Sequence, residues 1–265
     1  MIDGQTALFG FIAHPARHSR SPRMHNLSFD YWGLNARYLA FDVAPDGLAD
    51  TLAGIRSMGI AGVNLSMPFK QAVVPLLDGL TVRAQRIQAA NTIKNEAGKL
   101  IGDSTDGAGV FQDLLHQGLN LVDKHVMVLG AGGAGKAIIA AALDYGVASV
   151  TVFKRNNVRY AGVQHWLEQL STTTSVPLRL CAYEDQVRMQ QVARTSDLII
   201  NATNIGMTTA GTPLPISIIQ QLVPQQTVYD MIYQPLETTF LRLARQQGCA
   251  TYNLSLIHIS EPTRP

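Results

Sequence analysis

Residues 62–75 read GVNLSMPFKQAVVP: an apolar run ends in Ser66-Met67-Pro68, and Lys70 follows two residues later. Pro68 reads as the first position of a helix. Lys70 would then sit in the first turn, where the helix dipole disfavours a cation. A lysine in that place either solvates a helix face or is one whose proton is made easier to lose. A free lysine, with a pKa of about 10.4, is too basic to serve as a good base near neutrality. Burial and a helix N-terminus both disfavour its charged form. The chemistry this would serve is general-base removal of a proton from a group within about 3 Å.

A second chemical feature lies in VMVLGAGGAGKAI, where Gly130, Gly132 and Gly135 fit G-x-G-x-x-G between an apolar strand and an alanine-rich helix. In that context the first glycine allows the tight turn. The second lets backbone approach a pyrophosphate, which the helix N-terminus binds. A carboxylate for the ribose 2′-hydroxyl of NAD is expected about 20 residues on. The chain instead reads Lys154-Arg155-Asn156-Asn157. Lys154 and Arg155 either meet a 2′-phosphate, tilting the cofactor toward NADP, or are solvated strand-end cations.

The elements that must hold these groups alternate along the chain. Strand-like runs at 6–12, 36–43 and 60–66 alternate with helical patterns at 21–34 and 45–58. That rhythm implies a largely parallel sheet. A hairpin is expected around NEAGK, followed by a polar turn and a helix at GVFQDLLHQGL. A second series follows, with strands at 149–155, 177–183, 197–203 and 227–232. The domain boundary is read near 104.

The bulk numbers agree with two domains. The chain has 265 residues, 46% hydrophobic and 15% charged, with formal net charge +2. At roughly 100–200 residues per domain, that suggests one large domain or two medium ones. The charge balance argues against a nucleic-acid surface, and no apolar run reaches the roughly 18 residues of a membrane span. Cys181 and Cys249 fit no metal spacing or disulfide framework. No signal peptide is read, so a cytoplasmic location is the expectation. No metal is expected. His14, His18 and His25 lack nearby cysteine or acidic ligands and read as hydrogen bonders.

Ser19 and Ser21 stand in a loop before a helix, where two hydroxyls suit a carboxylate or polyol. On its own, Ser21 reads equally as a helix N-cap. Asp106 likewise reads as the N-cap of the helix that follows it.

Taken in order, HSRSPRMHN, GVNLSMPFK, AANT, DSTDG, GAGGAGKA, NATNIGM and YQPLETTFLRLA resemble the shikimate dehydrogenase family, including its quinate/shikimate branch, from about residue 6 to about 253. The resemblance implies two α/β domains, a substrate-binding domain over 1–104 and a Rossmann dinucleotide-binding domain over 105–253. It implies reversible NADP-linked interconversion of 3-dehydroshikimate and shikimate in aromatic amino-acid biosynthesis. Ser19 and Ser21 would bind the substrate carboxylate, and Ser66 and Asn91 its hydroxyls. Lys70 and Asp106 would be the catalytic pair. Gly130, Ala131, Gly132, Gly133, Ala134 and Gly135 would hold the pyrophosphate, with Lys154, Arg155 and Asn157 near the adenosine end. Thr203, Ile232 and Tyr233, with Asn201 to Met207, would line the nicotinamide side. A small-molecule substrate and a monomer or homodimer go with this reading. A quinate/shikimate dehydrogenase using NAD, and a non-catalytic dinucleotide-binding protein, are the alternatives. The resemblance also implies a glutamine-bearing helix after the last strand. LSLIHISEPTRP lacks it, so residues 254–265 read as an atypical tail not native to the family.

Overall fold

The computed structural model describes residues 2–208 and 211–254. The tail expected from residue 254 onward lies, Leu254 apart, outside the described residues. The described chain falls into two compact units that divide between Thr105 and Asp106.

The first unit runs β1 (Ala7–Ala13), α1 (Ser21–Tyr31), β2 (Ala36–Asp42), α2 (Leu48–Ser57), β3 (Gly62–Leu65), α3 (Phe69–Ala72), β4 (Gly79–Leu80), α4 (Val82–Ile87), β5 (Thr92–Glu96) and β6 (Lys99–Asp103). The strand order is β2-β1-β3-β5-β6-β4. β1, β2 and β3 are parallel, as the alternating pattern requires. β5 runs antiparallel to both β3 and β6. The NEAGK hairpin makes the second of these reversals, between β5 and β6. Ala97 (φ +50°) and Gly98 (φ +89°) form a two-residue loop with both φ angles positive, which matches the right-handed twist of the flanking strands. Asn95 holds the loop by accepting the Gly98 N–H at 2.8 Å and donating to the Ile60 carbonyl at 2.9 Å.

One core of this unit gathers Ile12, Leu52, Ile55, Val63, Leu65, Phe69, Ile93 and Leu100, all at most 3% exposed. β2 is an edge strand, and α1 blunts it. The Asn26 side chain accepts the N–H of Tyr38 and donates to its C=O, at 2.9 and 2.8 Å. The outward backbone groups at that position are therefore not open for pairing with another chain.

The second unit runs α5 (Asp106–His116), β7 (His125–Leu129), α6 (Gly133–Ala142), β8 (Ser149–Lys154), α7 (Tyr160–Ser171), β9 (Leu178–Ala182), α8 (Gln186–Thr195), β10 (Leu198–Asn201), α9 (Ile216–Ile219), β11 (Thr227–Asp230), α10 (Thr239–Gln246) and β12 (Ala250–Asn253). The order is β12-β11-β10-β7-β8-β9, with every neighbouring pair parallel. This is the doubly wound Rossmann order, and its switch point lies between β7 and β10. The two α/β architectures agree with the sequence expectation. No helix among the described residues is long and apolar enough to cross a membrane.

α5 begins at Asp106, three residues earlier than the GVFQDLL pattern marks. Gly107 explains how it fits: a Cβ there would lie 2.1 Å from the Ala137 carbonyl oxygen on α6. The two helices therefore meet backbone to backbone. Gly107→Ala should lower stability by about 1–3 kcal/mol, the cost of overpacking. Gly162→Ala in α7, where a Cβ meets nothing within 4 Å, should be neutral or stabilising by up to about 1 kcal/mol. Urea midpoints of the two variants check this; equal midpoints would contradict the close approach.

Candidate active site

The proposed substrate-side residues gather at the carboxyl ends of β1 and β3. His14 N–H reaches the Met67 carbonyl at 3.2 Å, tying the end of β1 to the segment that carries Ser66. Ser66 donates its N–H to Ile12 O (3.0 Å), and its own carbonyl accepts Phe69 N–H (2.9 Å). Phe69 is buried in the core, so the half-buried Lys70 beside it has a fixed base. The Lys70 carbonyl accepts Ala90 N–H at 2.8 Å, and Leu65 N–H reaches Asn91 O at 2.7 Å.

Four expectations change here. Pro68 is the cap residue rather than the first helical one, and α3 is a single turn. Pro75 limits it, since proline has no N–H to bond the Gln71 carbonyl, and the chain goes on as a 3-10 turn over Val74–Leu76. A four-residue helix aligns too few peptide dipoles for the macrodipole effect expected at Lys70. Ser21 is not an N-cap either. It is the first helical residue, Arg20 is the cap, and no side chain caps it. Ser19 instead accepts the Ser21 N–H at 3.2 Å. Asp106 likewise stands inside α5, as its first residue.

Asn91 is 9% exposed. Its Oδ1 accepts the Thr105 N–H at 2.9 Å, and its Nδ2 donates to Thr105 Oγ1 at 3.0 Å. The loop before Asp106 is thereby clipped in place. Asp103 holds the same loop from its other end, accepting from the Arg83 guanidinium, from Thr81 Oγ1 at 2.6 Å and from Ser104 N–H at 2.7 Å. Burial alone would raise the Asp103 pKa, but the bonds from Arg83 and Thr81 outweigh it and hold the carboxyl below the ordinary range. By residue type alone His14 and His25 read only as hydrogen bonders. His14 Nδ1 lies 2.8 Å from Asp42, and His25 stacks on Tyr38 with centroids 4.3 Å apart.

In the second unit, the glycine loop follows β7 at the switch point. Gly130 has φ +98°, and a Cβ on it would lie 2.8 Å from Thr203. A Cβ on Gly135 would lie 2.3 Å from Gly130 O, so α6 packs directly on the loop. Gly132 differs: its φ is ordinary and a Cβ would meet nothing within 4 Å. Its missing side chain leaves open space at the start of α6, where the amides of Gly133, Ala134 and Gly135 have no side-chain cap. That space fits a dinucleotide pyrophosphate.

At the end of β8, Lys154 Nζ donates to Asn157 Oδ1 at 2.7 Å and to Arg155 O at 3.2 Å. Desolvation, then repulsion from Arg155 and Arg159, lower the Lys154 pKa. The sequence reading stopped at Asn157 and missed Arg159, whose N–H also reaches Asn157 Oδ1, at 3.1 Å. It also missed Glu184, which comes from the loop after β9 and accepts Asn156 N–H at 3.2 Å. Spacing within 154–157 could not find a carboxylate supplied by the next strand.

On the far side of the switch point, Asn201 is fully buried. Its Oδ1 accepts from Thr203 N–H and Oγ1 at 3.0 and 2.7 Å. Its Nδ2 donates to Asp230 Oδ1 at 3.0 Å. Asp230 also accepts from Ile232 N–H (3.0 Å) and Thr238 Oγ1 (2.7 Å). Ile232 is buried, while Met207 and Tyr233 are each 45% exposed. Asp230 was missed as well; its only signal was a lone acid inside the apolar run TVYDMI.

Residues 11–93 match a family model described as the shikimate dehydrogenase substrate binding domain. Residues 112–233 match one described as the alanine dehydrogenase/PNT C-terminal domain. Shikimate dehydrogenase (NADP(+)) of Latilactobacillus sakei subsp. sakei is 48% identical over 247 residues, covering 93% of this chain and 85% of that protein. The chain belongs to the shikimate dehydrogenase family. Among solved members of the family, shikimate 5-dehydrogenase from Listeria monocytogenes, in complex with shikimate and NAD, has a TM-score of 0.92. Its identity is 37%, over 97% of this chain and 89% of that one. A quinate dehydrogenase from Corynebacterium glutamicum, in complex with NAD, has a TM-score of 0.84 and 27% identity, over 97% and 91%.

Asp230 also makes a pH prediction. Burial without a cationic partner raises its pKa from 3.8 to about 6, against the opposing hydrogen bonds from Thr238, Ile232 and Asn201. A raised carboxyl pKa adds stability below the unfolded value, and that stability is lost as pH rises through the folded value. Asp230 therefore subtracts about 3 kcal/mol between roughly pH 4 and 6. In Asp230→Asn the stability difference from wild type should shift toward the variant across that window and stay flat above it. Denaturant unfolding at pH 4, 5, 6 and 7 measures this; a difference that does not vary with pH would contradict the assignment.

Proposed function

We propose that the protein is a shikimate dehydrogenase, reversibly interconverting shikimate and 3-dehydroshikimate with NADP(H). Family membership over nearly the whole chain carries this reading. It is supported by the presence of Lys70, Asp106 and the glycine loop at the motif positions of the sequence. The substrate is a small molecule, and the reading includes a cytoplasmic monomer or homodimer.

The Ser19 and Ser21 hydroxyls take the substrate carboxylate. Ser66 and Asn91 take its ring hydroxyls. Lys70 removes the proton of the alcohol being oxidised, and Asp106 completes the proton-transfer machinery. Gly130 to Gly135 hold the pyrophosphate. Lys154, Arg155, Asn157 and the added Arg159 hold the 2′-phosphate. Thr203, Ile232 and Tyr233 border the nicotinamide. When bound, NADP supplies the hydride acceptor, and the chain's own part is to orient the rings and move the proton.

A second reading, oxidation of quinate or shikimate with NAD, is favoured by one observation. Glu184 places a carboxylate on the Asn156 amide beside the cation cluster, and a carboxylate suits a ribose 2′-hydroxyl. A non-catalytic nucleotide binder is disfavoured by the presence of both Lys70 and Asp106.

The test crosses shikimate and quinate against NADP and NAD with purified protein. Shikimate with NADP should give the highest kcat/KM. In that assay Lys70→Ala should lower kcat by about 10²–10⁴-fold, the usual yield of general acid–base catalysis, with little change in substrate KM. Turnover close to wild type would remove Lys70 from its role.

Cofactor choice is tested at the cations. Replacing Arg155 and Arg159 by alanine should raise KM for NADP about tenfold or more while leaving KM for NAD nearly unchanged, since charge-assisted bonds to phosphate are lost. Glu184→Gln should move the NADP/NAD ratio the other way. Equal changes for both cofactors would remove the 2′-phosphate assignment.

A further inference from the structure

A file of polar side chains crosses the first sheet on a face otherwise packed with Phe9, Phe11 and Phe29. It starts at Tyr38 on β2, which is 3% exposed. The Tyr38 hydroxyl spans β1 and donates to Asn64 Oδ1 on β3 at 2.8 Å. Asn64 Nδ2 donates to Thr92 Oγ1 at 3.0 Å, and the two residues are direct cross-strand partners of β3 and β5. Thr92 Oγ1 donates to Asn91 Oδ1 at 3.2 Å.

The direction of every bond is set from the far end. A backbone N–H, that of Thr105, can only donate, so the atom of Asn91 that receives it must be the oxygen. Thr92 is then the donor to that oxygen and must accept from Asn64. Asn64 must in turn turn its oxygen toward the Tyr38 hydroxyl. Burial pushes the Tyr38 pKa up, so the phenol remains a donor through the neutral range. The start of the file is itself held, since His25 stacks on the Tyr38 ring and Asn26 clamps its backbone.

We propose that Tyr38, Asn64 and Thr92 are positioning residues: a hydrogen-bond relay, its direction set by the Thr105 N–H, that holds the Asn91 carboxamide in place with its oxygen inward and its NH2 as the donating end. This inference rests on the shikimate dehydrogenase reading, which makes Asn91 a substrate ligand. Held so, Asn91 keeps one N–H on Thr105 Oγ1 at 3.0 Å and meets the substrate hydroxyl as a hydrogen-bond donor. A merely structural file on an aromatic face would be served by apolar side chains at lower desolvation cost. This file instead ends on Asn91.

The test uses Tyr38→Phe, Thr92→Val and the conservative Thr92→Ser. Thr92→Val should raise KM for shikimate about tenfold and Tyr38→Phe a few-fold, the scale of a lost buried hydrogen bond. KM for NADP should stay within about twofold, because only the substrate side is touched. Thr92→Ser keeps the hydroxyl and should restore KM. A wild-type KM in Thr92→Val, or a parallel rise in KM for NADP, overturns the proposal, whatever the melting temperature does. The side-chain amide NMR signals of Asn91 separate this from the functional reading. If wild type oxidises neither shikimate nor quinate, that reading fails, while the relay still predicts that Thr92→Val moves those signals and Thr92→Ser returns them. Asn91 signals unmoved by Thr92→Val overturn the relay.

Discussion

The bond from the Thr105 N–H to Asn91 Oδ1, at 2.9 Å, is the contact on which the substrate side depends. Residues 104–105 follow β6 and precede α5, so no ladder or helix takes their amides. A buried amide left unpaired costs about 1–3 kcal/mol. Asn91 removes that cost with its side chain while its backbone joins two strands: its N–H reaches Asp103 O, and its carbonyl accepts from Leu65. The adjacent Ala90 N–H holds the Lys70 carbonyl. Ser66, Lys70, Asn91 and Thr105 are thus one connected piece, and on the proposed reading that is the condition for these groups to act without reorganising.

The second unit meets the same demand with a charge instead of an amide. Three donors converge at the ends of β10 and β11: Asn201 Nδ2, the Ile232 N–H and the Thr238 hydroxyl. An amide offers one acceptor oxygen and would face one of those donors with its own N–H. An ionised carboxylate offers two oxygens and no donor. Asp230 therefore suits the convergence despite its burial, and the desolvation cost appears as the raised pKa. The reward is that the turn at 201–207, the backbone at 232 and the cap of α10 share one anchor.

What was legible in the sequence was whatever depends on local pattern. The Rossmann strands emerged because buried parallel strands are short apolar runs. Gly130, Gly132 and Gly135 emerged because tight turns and close packing demand glycine. Helix starts were less legible: Ser21-Pro22 looks like a cap followed by a first helical proline, yet Ser19, two residues earlier, supplies the bond. The helix expected to carry Lys70 is shorter than the pattern suggests: α3 is one turn, followed by a 3-10 turn at Val74–Leu76 that holds Pro75. Two of the residues missed altogether, Glu184 and Asp230, act through contacts made in space. Glu184 meets Asn156 across 28 positions of sequence, and Asp230 meets Asn201 across 29. No spacing rule reaches that far.

The cation cluster shows how a local conflict can mark a ligand. Lys154 stands near Arg155 and Arg159, and their repulsion, added to desolvation, makes its proton easier to lose. Stability alone would not favour three like charges around one loop, and conflicts of this kind concentrate at functional positions. Asn157 moderates the conflict by accepting from Lys154 and from the Arg159 backbone. Glu184 offsets part of it from the neighbouring loop. A dianionic phosphate would relieve the repulsion among the cations but would meet repulsion from Glu184. On the proposed reading, cofactor preference is a balance between those two terms, and the balance lies in the loop after β9 as much as in the strand end where the sequence pattern looks for it.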